Sequence, residues 1–137
     1  MIDEAKVRLD EVSDRIARAA RLSGRDTATV TLVAVSKTWP AECIRPLIEA
    51  GHRHFGENRV QEAQAKWPAL KQAFSGIAMH MVGQLQANKA DDAGALFDVI
   101  HSVDRASLIE ALARAQDRAQ RRPACFLQVN IGEEEQK

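Results

Sequence analysis

The stretch "TLVAVSKTWP", Thr31 to Pro40, decides how the rest of the chain is read. Four apolar residues, Leu32 to Val35, run without a polar interruption, and then come Ser36, Lys37, Thr38, Trp39 and Pro40. With the residues before it, "TVTLVAV" (Thr29 to Val35) is short, β-branched and nearly continuous in apolar character. That pattern suits a strand covered on both faces, as in a parallel sheet. Pro40 has a fixed φ suited to a first helical turn. The segment therefore predicts strand, polar turn and helix, with a lysine at the C-terminal end of the strand.

Working outward, the alternation continues. Upstream, Leu9, Val12, Ile16 and Ala19 share one face of a helix while Asp10, Arg15 and Arg18 fall elsewhere, and Gly24 supplies the stop. Downstream, a helix from Pro40 carries Ile44, Leu47 and Ile48 to Gly51, with Pro46 removing one hydrogen bond and so delaying or bending it. A strand is expected over Arg53 to Asn58, then a helix over Arg59 to Trp67 that Pro68 ends. "AMHMVG" (Ala78 to Gly83) is the third strand, and a short helix over Asn88 to Ala93 leads to the fourth, "FDVIHSV". Asp104 is the expected N-cap of a helix with Leu108, Ile109, Leu112 and Ala115 on one face, and "ACFLQVNIG" (Ala124 to Gly132) is the fifth strand. Strands alternating with helices imply a parallel sheet with right-handed crossovers. The α/β architectures that compete are an open doubly wound sheet and a (β/α) barrel. No G-x-G-x-x-G follows the first strand, so the dinucleotide-binding version loses support. In both, ligands bind at the C-terminal strand ends, where Lys37, Asn58, Gln84, Ser102 and Asn130 cluster.

The totals narrow the function classes. A chain of 137 residues is enough for about one domain. Nineteen Lys and Arg balance nineteen Asp and Glu, which leaves no electrostatic footprint for nucleic acid. Arg118, Arg121 and Arg122 stand with Asp117 and read as a solvated helix end. No apolar run approaches the ~18 residues of a membrane span. The acidic, amphipathic start "MIDEAKVRLDEV" is neither signal nor transit peptide, so a cytoplasmic location is expected. Cys43 and Cys125 lack metal-ligand spacing and read as two free thiols, with no metal site.

Lys37 has two readings. One is an ammonium that snorkels to solvent at the rim of a sheet. The other is an imine-forming lysine. Only a neutral amine attacks an aldehyde, and apolar surroundings favour the neutral form of such a lysine. The hydroxyls of Ser36 and Thr38 would orient it.

Further segments follow "AVSKT" in order: "FGENRVQEAQAKW" (Phe55 to Trp67), "HMVGQLQANKA" (His80 to Ala90), "HSVDRASL" (His101 to Leu108) and "LQVNIGEEEQK" (Leu127 to Lys137). Together they closely resemble the pyridoxal-phosphate homeostasis protein family, the YggS-like proteins, over nearly the whole chain. The resemblance implies a TIM-type (β/α) barrel similar to the N-terminal barrel of alanine racemase, here an N-terminal helix plus about five βα units. It implies pyridoxal 5'-phosphate as cofactor, held as a Schiff base on Lys37. It maps Asn58 onto a position lining the cofactor pocket and places His80, Met81 and Ser102 near the pocket floor. Gln84, Asn88 and Lys89 become candidates for loop closure or surface pairing. Two details depart from the family pattern: Met79 and Met81 flank His80 where an aromatic is common, and Gln84 stands where a histidine is common.

The implied role is intracellular cofactor homeostasis without established turnover, with cofactor-requiring apoenzymes as partners and neither nucleic acid nor membrane. The alternative is a pyridoxal-phosphate-dependent amino-acid racemase, or a Schiff-base aldolase on a similar barrel. Two-base racemisation needs a second acid–base on the opposite face of the imine, a tyrosine in alanine racemase, and this chain has no tyrosine. At roughly 24 residues per βα unit, eight units after a leading helix need about 220 residues, near the low end for this barrel. In the family, later glycine- and serine-rich loops and an arginine hold the cofactor's phosphate, and no such segment occurs here. Residues 1–137 are therefore expected to be the N-terminal side of a longer barrel.

Overall fold

The computed structural model describes residues 2–133 and 135. It begins with α1 (Ile2–Leu22), closed by Gly24 in the left-handed region at φ 70°. Five strands follow: β1 (Ala34–Val35), β2 (His54–Glu57), β3 (Ala78–Met81), β4 (Val99–Val103) and β5 (Ala124–Leu127). The helices between them are α2 (Ala41–Glu49), α3 (Val60–Ala73), α4 (Ala90–Leu96) and α5 (Ala106–Ala119). All neighbouring strands are parallel, and their order in the sheet is β1-β2-β3-β4-β5. A doubly wound sheet reverses direction at a switch point. This sheet never reverses, which rules out the doubly wound order, and crossovers of one hand put the helices on one face.

That face carries the core. Phe55, Met79, Met81 and Ile100 from the strands join Ile48, Trp67, Leu70 and Leu108 from the helices, each at most 2% exposed. The Phe55 and Trp67 rings meet at 4.9 Å. Arg121, just past α5, fixes the far end. Its guanidinium donates to the carbonyls of Gly94 and Phe97 and pairs with Asp98, whose second oxygen accepts the Met79 N–H at 2.7 Å. Arg118 forks onto Asp91. These arginines were expected to be merely solvated, and instead they tie α5 to α4 and β4.

Several other expectations are corrected. The first strand is two residues long rather than running from Thr29, and a 3-10 turn at Thr27–Thr29 takes the first residue expected to be strand. Asp26 caps that turn by accepting the Ala28 N–H at 3.0 Å. Nor is β1 covered on both faces: β2 is its one partner among the described residues, and Val35 is 49% exposed. The last strand is likewise short and exposed throughout. Pro68 does not end α3, which runs on to Ala73, because Trp67 and Leu70 anchor both sides of it in the core. Pro68 and Gln64, whose carbonyl loses its helical donor, are both exposed, so water replaces the bond. Pro46 likewise sits inside α2. Arg105, not Asp104, is the N-cap of α5, and Asp104 instead pairs with the Arg105 guanidinium at 2.7 Å. On α5 the buried stripe is Leu108, Ala111 and Ala115 with Leu112 half-buried, at helical spacing, and Ile109 lies off it, 49% exposed.

Trp67→Ala should cost ~3–5 kcal/mol of stability, since it opens a large cavity in a rigid core. The urea unfolding midpoint measures it, and a loss below ~1 kcal/mol would mean that the ring is not the packing anchor described.

Candidate functional site

Lys37 stands at the C-terminal end of β1, exposed, and its ammonium hydrogen-bonds to no other described residue. The expected apolar surroundings are not found there, because β1 forms an edge of the sheet. Its neighbours are held tightly. The Ser36 hydroxyl donates to Glu57 Oε2 at 2.6 Å, and the Ser36 N–H donates to the Gly56 carbonyl at 2.8 Å. Glu57 is completely buried, and the same oxygen accepts the Trp67 indole N–H at 2.9 Å and lies 2.9 Å from Lys66 Nζ. Lys66 Nζ also donates to the carbonyls of Ser36 and Trp39, both at 2.9 Å, and to Glu62 Oε2 at 3.1 Å. Glu62 accepts the Thr38 N–H at 2.6 Å. Desolvation opposes its ionisation, but the Thr38 N–H and the Lys66 ammonium outweigh it and hold the carboxyl below the usual range.

Asn58 lies half-buried one residue beyond β2. The end of β3 approaches it so closely that a Cβ on Gly83 would stand 2.5 Å from the Asn58 carbonyl oxygen and 2.8 Å from its Cα. Only glycine fits at 83. Asn58, Met81, Gln84 and Lys89 share an open cavity of about 300 Å³. Lys37 is not among the residues lining it. Asn88 is exposed in the 3-10 turn Ala87–Lys89.

His80 sits on the sheet face opposite the helices, in register with Gly56 and Val99. Its Nε2 is 3.1 Å from His54 Nδ1 and its Nδ1 is 2.9 Å from His101 Nε2. The His101 ring stacks on Phe126 at 5.0 Å. Three imidazoles and a phenyl ring thus cross β2 to β5 on the inner face. Desolvation, reinforced by His101 and His54 and opposed by Asp98, lowers the His80 pKa to about 4. A neutral imidazole donates from one nitrogen and accepts at the other, so the row carries a single polarity. Both His80 nitrogens are engaged, which makes it a wall residue of the inner face. Ser102 is buried in β4, and its hydroxyl has no hydrogen-bond partner among the described residues.

Neither the histidine row nor the Glu57–Lys66–Glu62 cluster was read from the sequence. The histidines align only once the strand register is known. The cluster did leave a trace: Glu62 and Lys66 stand four apart, and Glu57 shares with Phe55 the alternation that faces the helices. Among the described residues no group of three or more His, Cys, Asp or Glu is placed to hold a metal, and Cys43 and Cys125 are exposed free thiols. Among the described residues no helix is long and apolar enough to cross a membrane.

Two consequences are measurable. In the folded chain His80 is neutral down to about pH 4, whereas an unfolded histidine binds a proton near 6.5. Between those values the unfolded state holds more protons, so His80's stabilising share is complete above about pH 6.5 and vanishes as pH falls towards 4. His80→Gln should flatten the urea midpoint against pH in that window, and an unchanged slope would contradict the burial described. Gly83→Ala should cost ~1–3 kcal/mol through overpacking, and thermal unfolding with native stability would refute the close approach.

Comparison with known proteins follows from this geometry. The sequence matches the family described as alanine racemase, N-terminal domain, over residues 7–135. It is 40% identical over 127 residues to the pyridoxal phosphate homeostasis protein of Pseudomonas aeruginosa, covering 93% of this chain and 54% of that one. It is 39% identical over 136 residues to the protein of the same name from Escherichia coli K12, covering 94% and 56%. Among solved structures, PipY of Synechococcus elongatus with pyridoxal phosphate bound superposes with a TM-score of 0.73 at 46% identity, over 85% of this chain and 54% of that one. An unknown protein from Bifidobacterium adolescentis gives 0.88 at 34% identity, over 99% and 58%. The chain spans about half the length of the curated relatives it matches. Those relatives are named as homeostasis proteins rather than as enzymes.

Proposed function

The chain belongs to the alanine racemase N-terminal domain family, and on that premise we propose that it binds pyridoxal 5'-phosphate in cofactor homeostasis, with Lys37 as the covalent attachment point. The observation that carries this is Lys37 itself: an exposed, unpaired primary amine at a C-terminal strand end, in a segment whose other residues are all held. In barrels that end of the strands is where ligands bind. The solved PipY structure with the cofactor bound and the names of the relatives support the ligand class.

The cofactor supplies an aldehyde. Lys37 Nζ would be the amine that holds this aldehyde covalently, with the carbonyl oxygen lost as water. Asn58 offers an amide donor and acceptor to ring substituents, Met81 an apolar floor, and Ser102 a hydroxyl that lacks a partner. His80 lies on the opposite face of the sheet from Met81, where it lines the inner face. The sequence contains no tyrosine to act as the second base of a racemase, so we favour a carrier that exchanges cofactor with apoenzymes in the cytoplasm. The unpaired edges of β1 and β5 and the relatives' length support residues 1–137 as the N-terminal side of a longer barrel.

Borohydride reduction after incubation with pyridoxal phosphate, followed by peptide mapping, tests the site. The adduct is expected on Lys37, and Lys37→Ala should abolish both the visible imine band and the adduct while leaving the unfolding midpoint within ~0.5 kcal/mol, as for an exposed side chain. An adduct on Lys66 or Lys89 would overturn the assignment.

A further inference from the structure

We propose that Lys66, acting with Glu62 and Glu57, is the positioning residue for Lys37: one buried ammonium clamps the backbone on both sides of the attachment lysine and so aims its amine. The inference rests on the reading of Lys37 given above and adds the device that makes the amine effective.

The geometry is unusual for a lysine. A lysine on a helix normally lets its head reach water. The Lys66 side chain is only 10% exposed and crosses from α3 to the loop after β1. Its three N–H bonds face four acceptors within 3.1 Å, namely two carboxylates and the carbonyls of Ser36 and Trp39. Those carbonyls bracket Lys37 and Thr38. Between them Thr38 adopts φ 66°, which a β-branched residue holds only under outside constraint. The constraint is visible: Glu62 takes the Thr38 N–H and is itself held by Lys66. On the other side Glu57 takes the Ser36 hydroxyl. The backbone at residues 36, 38 and 39 is thus anchored to this cluster, and between those anchors the Lys37 side chain is exposed.

Stability alone is a poor reason for such a cluster. Well-packed apolar residues often do as well as a buried ion pair, or better. What an ionic cluster supplies is direction, because each hydrogen bond fixes one backbone atom. A held backbone leaves only the Lys37 side-chain torsions to be ordered when the C–N bond forms. Preorganisation of that kind acts on the rate of the covalent step and leaves recognition of the rest of the ligand unchanged.

The test separates those two quantities in the full chain. The variants are Lys66→Met, which keeps the stem, and Glu62→Ala, which removes the Thr38 acceptor from a partly exposed position and so is tolerated if Lys66→Met does not fold. Imine formation with pyridoxal phosphate is followed by stopped-flow absorption. Affinity is measured with the analogue carrying a methyl group in place of the aldehyde. Amide exchange at Thr38 and Trp39 is measured in cofactor-free protein. We expect imine formation to slow by about 10- to 100-fold, analogue affinity to stay within about twofold, and exchange at both amides to rise. A purely architectural role would weaken both ligands in parallel, and that result would overturn the inference, as would an unchanged imine rate in a folded variant. If the native chain forms no adduct on Lys37, the reading of the site fails first. A native adduct with unaltered rates in the variants refutes the clamp alone.

Discussion

The charge on Glu57 is the constraint around which the first half of the wall is arranged. A carboxylate with no solvent exposure is tolerated only when donors surround it. Here one oxygen takes the Ser36 hydroxyl, the Trp67 indole N–H and the Lys66 ammonium. Those donors lie on the loop after β1 and on α3. Satisfying that oxygen fixes how β1, β2 and α3 meet, while Oε1 of Glu57 is buried without a hydrogen-bond partner among the described residues. The apolar contacts agree with it: the Trp67 ring that carries the N–H also packs against Phe55, two residues before Glu57 on the same strand face. Polar direction and apolar area come from the same side chain, which is why the arrangement is specific as well as stable.

The two faces of the sheet then serve different ends. Towards the helices it is apolar apart from the Glu57 cluster. The inner face sets a glycine and hydrogen-bonding imidazoles among valines and a phenylalanine. Gly56 leaves room where a Cβ would press to 3.2 Å on Val33 and 3.3 Å on Val82. Beside it runs the row His54, His80, His101 and Phe126. Because each imidazole link needs one donor and one acceptor, a change of proton on one ring is felt by its neighbours, and the row holds β2 to β4 in a single register.

How much of this was legible in the sequence follows from what kind of information each feature needs. The alternation of elements, the parallel sheet and Lys37 at a strand end were legible because local patterns encode them. The ends of elements were less so. Pro68 looked like a stop because proline is costly in a helix, but Trp67 and Leu70 outweigh one missing hydrogen bond on a wet face. Ile109 was placed on the apolar face beside Leu108, Leu112 and Ala115, but the buried stripe is centred on Leu108, Ala111 and Ala115 and leaves Ile109 at its margin. Arg121 looked solvated because its partners Gly94, Phe97 and Asp98 lie more than 20 residues away in the chain. The candidate site divides in the same way. Lys37 and Asn58 were found as strand-end residues. The Lys66 contacts to Ser36 and Trp39, 30 and 27 residues away, exist only after the first crossover closes.

That closure bears on the proposed role. A cofactor reservoir needs a link that forms readily and is open to hydrolysis or transfer. A Schiff base is such a link when its nitrogen is accessible, and Lys37 is exposed. Accessibility alone would leave a floppy amine on a loop at the sheet edge, with ordering entropy opposing every encounter. The backbone anchors around it answer that cost during folding, once, and not at each binding event. An enzyme site would go further and surround the amine with acid–base groups on both faces of the bound ligand. Around Lys37 the titratable neighbours of the loop, Glu57, Glu62 and Lys66, are spent on one another and on the backbone. An accessible amine on a rigid support, with its charged neighbours already engaged, suits the proposed holding and releasing of an aldehyde.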